Sequence, residues 1–294
     1  MHIVIAGGSG FIGSRLVAGF RAKGDRVSVI SRSHGDYSWS ESDLRHALEG
    51  ADVLINLAGR SINCRFTEKN KKEILVSRTE SVKLLNQVVE KLQNPPQLWI
   101  NASAAGIYEP SDAIPHTENS HQFSGNFLGE VVQKWESEFF ENQISGVRKI
   151  ALRTSVVLGE NGGVVPLFFR LSRFGLGGKQ GNGRQVFSWI HIDDYLNIVL
   201  FLMGNNQVEG VVNCTSPFPV TNKVLMKTIR QTLKIPFGLS APEFVIRLSS
   251  RVLGIEPSLI LDSSNVVPQR LTELNFKFKY PSLKIAIEHI GNFI

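Results

Sequence analysis

The 294-residue sequence predicts an α/β protein: a doubly wound parallel sheet followed by a smaller, partly helical C-terminal lobe. Up to Val157, short runs rich in Ile and Val alternate with stretches of helical spacing. Gly7, Gly10 and Gly13 separate the first such run from the first helix. After Gly159 the periodicity is broken by Gly162-Gly163, by a glycine-rich run from Gly175 to Gly183, and by Pro217 and Pro219. Strands that alternate with helices imply right-handed crossovers and a sheet covered on both faces.

Residues 2–6 read as the first strand, and the next dozen place Phe11, Ile12, Leu16, Val17 and Phe20 at helical spacing. Arg26 to Ser31 reads as a strand, Ser42 to Leu48 as a short helix, Val53 to Leu57 as a strand, and Glu68 to Lys91 as one or two helices. Leu98 to Ala102 supplies another strand, Asn126 to Asn142 a long helix, and Arg148 to Val157 a further strand. Beyond these, helices are expected near Asp194 to Met203, Asn222 to Leu233, Pro242 to Leu253 and Leu283 to Ile290. Gly210 to Cys214 looks like a strand returning to the first lobe. Residues 1–160, with the return segment 186–215, therefore form the first lobe, and 161–185 with 216–294 the second, set against the strand ends where open parallel sheets place ligands.

Composition narrows the function. The chain is 42% hydrophobic and 20% charged, as in an ordinary globular protein. No apolar run approaches the ~20 residues of a membrane helix, and the opening Met1-His2-Ile3-Val4-Ile5 lacks the features of a signal peptide, so a cytoplasmic protein without a membrane role is expected. Cys64 and Cys214 lack metal-ligand spacing, so no metal is expected and both cysteines read as reduced and buried. The net charge of +6 comes without the dense basic runs of a nucleic-acid binder. Within residues 161–250, however, nine bases (Arg170, Arg173, Lys179, Arg184, Lys223, Lys227, Arg230, Lys234, Arg247) face four acids (Asp193, Asp194, Glu209, Glu243). That excess would steer an anionic ligand to this part of the molecule, or form a solvated basic face.

The glycines carry the strongest chemical signal. Gly7 permits a tight turn, Gly10 lets a pyrophosphate approach the backbone, and Gly13 lets helix and strand pack closely. With Gly8, Ser9, Phe11 and Ile12 they form a cradle at a helix N-terminus, where free amides and the helix dipole favour an anion. Dinucleotide binding is the reading. At the end of the second strand, Ser31-Arg32-Ser33 has no acid until Asp36. Arg32 can pair with a 2'-phosphate that a carboxylate would repel, and Ser31 or Ser33 can donate hydrogen bonds, so NADP(H) is the expected cofactor.

These residues resemble the extended or atypical short-chain dehydrogenase/reductases, whose fold is the NAD(P)-binding Rossmann fold. The resemblance spans essentially the whole chain: Gly7-Gly8-Ser9-Gly10-Phe11-Ile12-Gly13, then Asn56-Leu57-Ala58-Gly59, then Asn101-Ala102-Ser103-Ala104, then Trp189-Ile190-His191-Ile192-Asp193-Asp194. The chain looks most like the "epimerase family" subgroup, marked further by Ser77-Arg78 opening a helix, Phe127-Leu128, Trp135-Glu136, the glycine-rich Gly177 to Gln185, Asn213 and Pro268. The resemblance implies that Leu57, Ala58, Gly59 and Ala102 join the cofactor site and that Asn213 lies close to the substrate. It also suggests a homodimer through the helices near 68–91 and 126–142, which their sequences do not demand.

The family's reaction depends on a Tyr and, four residues later, a Lys that lowers the Tyr pKa and holds the nicotinamide ribose. Leu128 and Val132 stand at those positions here, and Lys134 is two residues out of register. Strict register also puts Ala104 where related enzymes carry a polarising Ser. A one-residue bulge would restore Ser103, which otherwise caps a loop. Tyr108 is a candidate substitute proton donor, the alternative being a ring packed under the cofactor loop. Lys179, Arg184 and Gln185 can close over a phosphate or carboxylate, or stay solvated. His191 reads as structural, with Asp193-Asp194 as the cap of the next helix. Three functions fit: an NADP-dependent oxidoreductase or isomerase of a small anionic substrate, a non-catalytic NADP(H) sensor, and a nucleotide-sugar epimerase.

Overall fold

The computed structural model describes residues 1–294, the side chains of residues 251–253 excepted. The chain runs through β1 (His2–Ala6), α1 (Phe11–Ala22), β2 (Arg26–Ile30), α2 (Glu41–Leu48), β3 (Val53–Asn56), α3 (Glu68–Val89), β4 (Leu98–Ala104), α4 (Phe127–Glu141), β5 (Arg148–Thr154) and β6 (Val156–Gly159). It continues through β7 (Gly162–Gly163), α5 (Val165–Arg173), β8 (Val186–Phe187), β9 (Trp189–His191), α6 (Ile192–Gly204), β10 (Gly210–Cys214), β11 (Val220–Thr221) and α7 (Asn222–Thr232). The last helices are α8 (Glu243–Leu253), α9 (Ser258–Leu261), α10 (Gln269–Glu273) and α11 (Leu283–Gly291).

Six strands form one parallel sheet in the order β10-β5-β4-β3-β1-β2. Alternation along the strands sends side chains to both faces. Ile3, Ile5, Val53, Ile55, Leu152 and Val212 pack with Leu16 and Phe20 of α1 and Ile198, Val199 and Leu202 of α6. Val4, Ala6, Leu54 and Trp99 pack on the other face with Leu44, Leu48, Val82, Leu85, Trp135 and Phe139 of α2, α3 and α4. Each fully buried side chain of this size contributes about 2 kcal/mol. With both faces covered, the strands read as nearly continuous apolar runs.

β1 pairs with β2 on one side and β3 on the other, so the direction of winding reverses between them. Such a reversal opens a crevice beyond the carboxyl ends of β1 and β3. Side chains cap the helices that flank it: Ser40 accepts from the Asp43 amide, Thr67 from Asn70 and Asn126 from Gly129. At α1 the cap residue is Gly10, and among the described residues no side chain caps that helix.

A further apolar cluster lies among the later helices, in which Phe168 and Phe169 of α5 meet Leu225, Met226 and Ile229 of α7 and Leu283, Ile287 and Ile290 of α11, with Leu158 of β6 and Trp189 of β9 joining them. α5 escaped the sequence reading because glycines flank it and Pro166 lies in its first turn, yet Val165, Phe168, Phe169 and Ser172 fall on one buried face. The strand expected over 148–157 divides at Ser155: β5 ends in the main sheet at Thr154, and β6 leaves to pair with β9. Residues 68–89 form a single helix capped at Thr67, so Ser77-Arg78 lies in its middle and does not open a helix as expected. Cys214 is buried as expected, whereas Cys64 sits half-buried in the loop before α3. Among the described residues no helix is long and apolar enough to cross a membrane.

Candidate cofactor and substrate crevice

Gly7 turns the chain out of β1 with φ +80°, and its amide donates to the Ile30 carbonyl at 2.9 Å. A Cβ on Gly7 would lie 3.0 Å from the Leu57 carbonyl carbon, and one on Gly13 would strike the Gly7 carbonyl oxygen and come within 2.7 Å of Gly8 Cα. Both glycines are therefore demanded by backbone packed on backbone. Gly10 differs: a Cβ there would meet only the Gly7 carbonyl oxygen, at 3.5 Å. The space above it is open, and the first turn of α1 carries no acid. This combination of an uncapped helix end, an open glycine and free amides fits a pyrophosphate. The Phe11 ring packs against Gly159, Gly162 and Gly163, so its contribution to the cradle is backbone.

At the end of β2 the Ser31 hydroxyl accepts from the amides of Ser33 (3.3 Å) and His34 (3.2 Å), which holds the turn. Asp36, the nearest acid, is drawn back to accept from the Val29 amide at 2.8 Å. Arg32 is exposed, and no ion pair among the described residues engages it. The carboxylate that would repel a 2'-phosphate is thus occupied elsewhere, and a guanidinium stands free.

The chain leaves β3 on a built bend. Asn56 donates to Asn101 Oδ1 at 2.7 Å and accepts from the Ala58 amide at 3.1 Å, while Asn101 donates to the Ala102 carbonyl at 2.8 Å. Leu57 and Ala58 abut the Gly7 turn, and the Arg60 amide donates to Ser77 Oγ at 2.9 Å. A Cβ on Gly59 would come within 3.2 Å of the Arg78 guanidinium carbon. Arg78, a family mark to which the sequence assigned no role, therefore lies against the crevice loop.

The positions that carry the family's acid and base are apolar in space as in sequence. Val132 is buried with Ala105, Ile107, Tyr108 and Val266; Leu128 is half-buried, and Lys134 is exposed. The β4–β5 ladder runs in unbroken register from Leu98↔Arg148 to Ala104↔Thr154. That ladder has no bulge to carry Ser103 to the polarising position, while on its other side β4 pairs with β3 only as far as Asn101. Ser103 Oγ instead donates to Glu136 Oε1 at 2.5 Å. Glu136 also accepts from Arg153, whose Nη1 donates to the Tyr108 hydroxyl at 2.8 Å; that hydroxyl donates to Asn213 Oδ1 at 2.9 Å. Asn213 continues the chain, its amide N–H donating to Glu118 Oε1 at 2.9 Å and its Nδ2 to the Val267 carbonyl at 3.1 Å. Burial raises the Tyr108 and Glu118 pKa values, with the Arg153 charge opposing it at Tyr108 and backbone donors opposing it at Glu118. Ser103, Tyr108 and Asn213 thus belong to one buried network, of which the sequence singled out Glu136 only as a family mark and did not reveal Glu118 or Arg153.

Lys179 and Arg184 are exposed at the surface of the glycine-rich loop, whereas Gln185 is buried and donates to the carbonyls of Gln180 (2.9 Å) and Ile260 (3.2 Å). His191 rather than the acids after it caps α6, accepting from the Asp193 amide at 3.0 Å. Asp193 is taken by Arg15, and Asp194 accepts from the amides of Lys279 and Tyr280.

Residues 3–215 match the NAD dependent epimerase/dehydratase family, and residues 241–290 match a domain of unknown function, DUF1731. Epimerase family protein SSP1921 of Staphylococcus saprophyticus is 34% identical, over 98% of this chain and 99% of its own. Human epimerase family protein SDR39U1 (isoform 2), solved with NADPH, superposes over the full length of both chains with a TM-score of 0.92 and 30% identity. A nucleoside-diphosphate sugar epimerase from Corynebacterium glutamicum is 29% identical with a TM-score of 0.81, over all of this chain and 58% of that one.

Proposed function

The chain is a member of the NAD dependent epimerase/dehydratase family, and from that premise we propose that it binds NADP(H) and acts as an oxidoreductase or isomerase on a small anionic substrate. The observation that carries the reading is the open Gly10 cradle, together with an exposed Arg32 whose nearest acid, Asp36, accepts from the Val29 amide. The NADPH in the human relative supports it. Gly7 to Gly13 would hold the pyrophosphate, Arg32 with Ser31 and Ser33 the 2'-phosphate, and Leu57, Ala58, Gly59 and Ala102 the ribose side of the crevice. A bound NADP(H) supplies a hydride donor or acceptor. The protein's share is binding, orientation and exclusion of water.

No proton step is assigned to Ser103 or Tyr108, since both hydroxyls are held by buried partners. They act as positioning groups that tie β4 to α4, β5 and β10. Nucleotide-sugar epimerisation is the less supported reading, because Leu128 and Val132 offer no proton at the family's usual positions. The same two side chains favour the second reading, a non-catalytic NADP(H) sensor.

Fluorescence titration of NADPH and NADH, followed by addition of small carbonyl compounds to the bound NADPH, tests these readings. Tight NADPH binding with loss of the reduced-nicotinamide signal supports the enzyme. Tight binding with an inert nicotinamide across the panel supports the sensor, and binding of neither cofactor removes both.

A further inference from the structure

Arg78 projects from the middle of α3 into the corner between the crevice loop and α4, where its guanidinium lies 5.2 Å from the Trp135 ring centroid. A guanidinium offers five N–H donors, of which one is used, from Nη1 to the Ile74 carbonyl at 3.0 Å. No carboxylate among the described residues pairs with it. Its neighbour Arg60 is the contrast: it pairs with Glu73 and donates to Asn70. The Trp135 indole N–H, in the same corner, is buried without an acceptor. Burial pushes the Arg78 pKa down to about 10, and among the described residues the Trp135 ring face and the Ile74 carbonyl are the partners its charge finds.

A half-buried cation with no counter-ion carries a desolvation cost that an apolar side chain in its place would avoid. It is kept at least cost where a ligand supplies the counter-charge. The location fits: Gly7 abuts Leu57 and Ala58, and Gly59 is the residue whose lack of a side chain lets Arg78 lie against that loop. A planar fork in this position matches a pair of anionic oxygens.

We propose that Arg78 is an anion receptor of the crevice, binding a pair of phosphate or carboxylate oxygens on the cofactor's pyrophosphate or on the substrate. This deepens the proposed function and rests on the crevice being its site. Arg78 is distinct from the exposed Lys179 and Arg184 and from the 2'-phosphate candidate Arg32. On the substrate arm it would make the substrate a small carboxylate or phosphate ester, and on the cofactor arm it would place a cation against the pyrophosphate of the dinucleotide.

The test compares wild type, Arg78→Met and Arg78→Lys in thermal melts with and without inorganic pyrophosphate or malonate, alongside NADPH titration. Ligand-free Arg78→Met is expected to melt at or above the wild-type temperature. At least one anion should raise the wild-type melting temperature in a concentration-dependent way, leave Arg78→Met unmoved and act weakly on Arg78→Lys. A pyrophosphate response with NADPH affinity reduced about 10- to 100-fold in Arg78→Met assigns the cofactor. A malonate response with unchanged NADPH affinity assigns the substrate. Equal anion responses in all three proteins, with Arg78→Met melting below wild type, would overturn the proposal in favour of a packing role. Because the melts need no cofactor, a protein that binds neither NADPH nor NADH defeats the cofactor reading while the anion response still decides Arg78; if Arg78→Met fails to fold, Arg78→Lys carries the comparison.

Discussion

Arg153 and Glu136 grip each other through two parallel hydrogen bonds, Nε to Oε1 at 2.9 Å and Nη2 to Oε2 at 2.7 Å, with side chains only 5% and 11% exposed. Glu136 lies one helical turn beyond Val132, so a buried ion pair has been built next to a position where the family keeps its catalytic lysine. Burial opposes the charge on Arg153, but the hydrogen bonds and charge of Glu136, with Tyr108, outweigh it and hold the guanidinium above its ordinary pKa. Glu136→Ala should cost about 3–5 kcal/mol in urea unfolding, because it leaves a buried cation unpaired. Glu136→Ala with Arg153→Met should cost less than Glu136→Ala alone; a double variant as unstable as the sum of the singles would show that the two side chains are not coupled.

Tyr108→Phe separates support from catalysis. The hydroxyl accepts from Arg153 and donates to Asn213, so its loss should lower unfolding stability by about 1–2 kcal/mol. NADPH affinity should not change. Burial also raises the Tyr108 pKa, which makes its proton harder to release. If turnover of an identified substrate collapses while the urea midpoint stays put, Tyr108 is the proton donor after all.

Gly10→Ala and Gly13→Ala should fail in different ways. The new methyl at 13 would meet backbone atoms of Gly7 and Gly8 that cannot yield, and should cost about 1–3 kcal/mol of stability. At 10 it would enter open space, with a stability change under about 1 kcal/mol. Yet it is Gly10→Ala that should lose NADPH affinity without loss of fold. Fluorescence titration beside thermal melts reads both, and wild-type affinity in the Gly10→Ala variant would mean that no pyrophosphate passes above this residue.

The layered sheet and the glycine cradle were legible because each is local: β-branched runs, helical spacing and three glycines declare themselves within a few residues. The Ser103–Glu136–Arg153–Tyr108–Asn213–Glu118 network was not, because its members come from segments far apart in the chain and meet only when β4, α4, β5 and β10 assemble. Sequence offered Ser103 and Tyr108 for their chemistry, and tertiary contact uses up that chemistry. Arg78 was visible only as a family mark, since the absence of a counter-charge is a property of its surroundings. α5 was hidden for the opposite reason, its glycine-rich flanks obscuring a short period that packing makes plain.

Arg32→Asp tests the cofactor assignment directly. The exchange replaces a free guanidinium with a carboxylate at the end of β2, and should weaken NADPH by about 10- to 100-fold while leaving NADH nearly unaffected. Equal weakening of both cofactors would place Arg32 away from the 2'-phosphate.

His191 sets an acid limit on the fold. Its Nδ1 accepts from the Asp193 amide at 3.0 Å, so the neutral ring carries its proton on Nε2, which faces His289 Nδ1 at 3.3 Å. The ring also stacks on Tyr280, with centroids 3.8 Å apart. Burial pushes the His191 pKa down to about 4; the Asp193 charge opposes the shift, and His289, Lys279 and Arg15 add to it. In the unfolded chain the ring titrates near ~6.5. Between these values the unfolded state binds a proton that the folded state refuses, so this contribution to stability is complete above ~6.5 and is lost progressively as pH falls toward 4. Protonation at Nδ1 also removes the cap of α6, the helix that packs with α1 against the sheet. His191→Asn keeps a side-chain acceptor for the Asp193 amide and discards the titration. Urea midpoints at about pH 7 and about pH 5 should therefore fall more steeply for wild type than for His191→Asn. Parallel slopes would assign the acid sensitivity to the buried carboxylates instead.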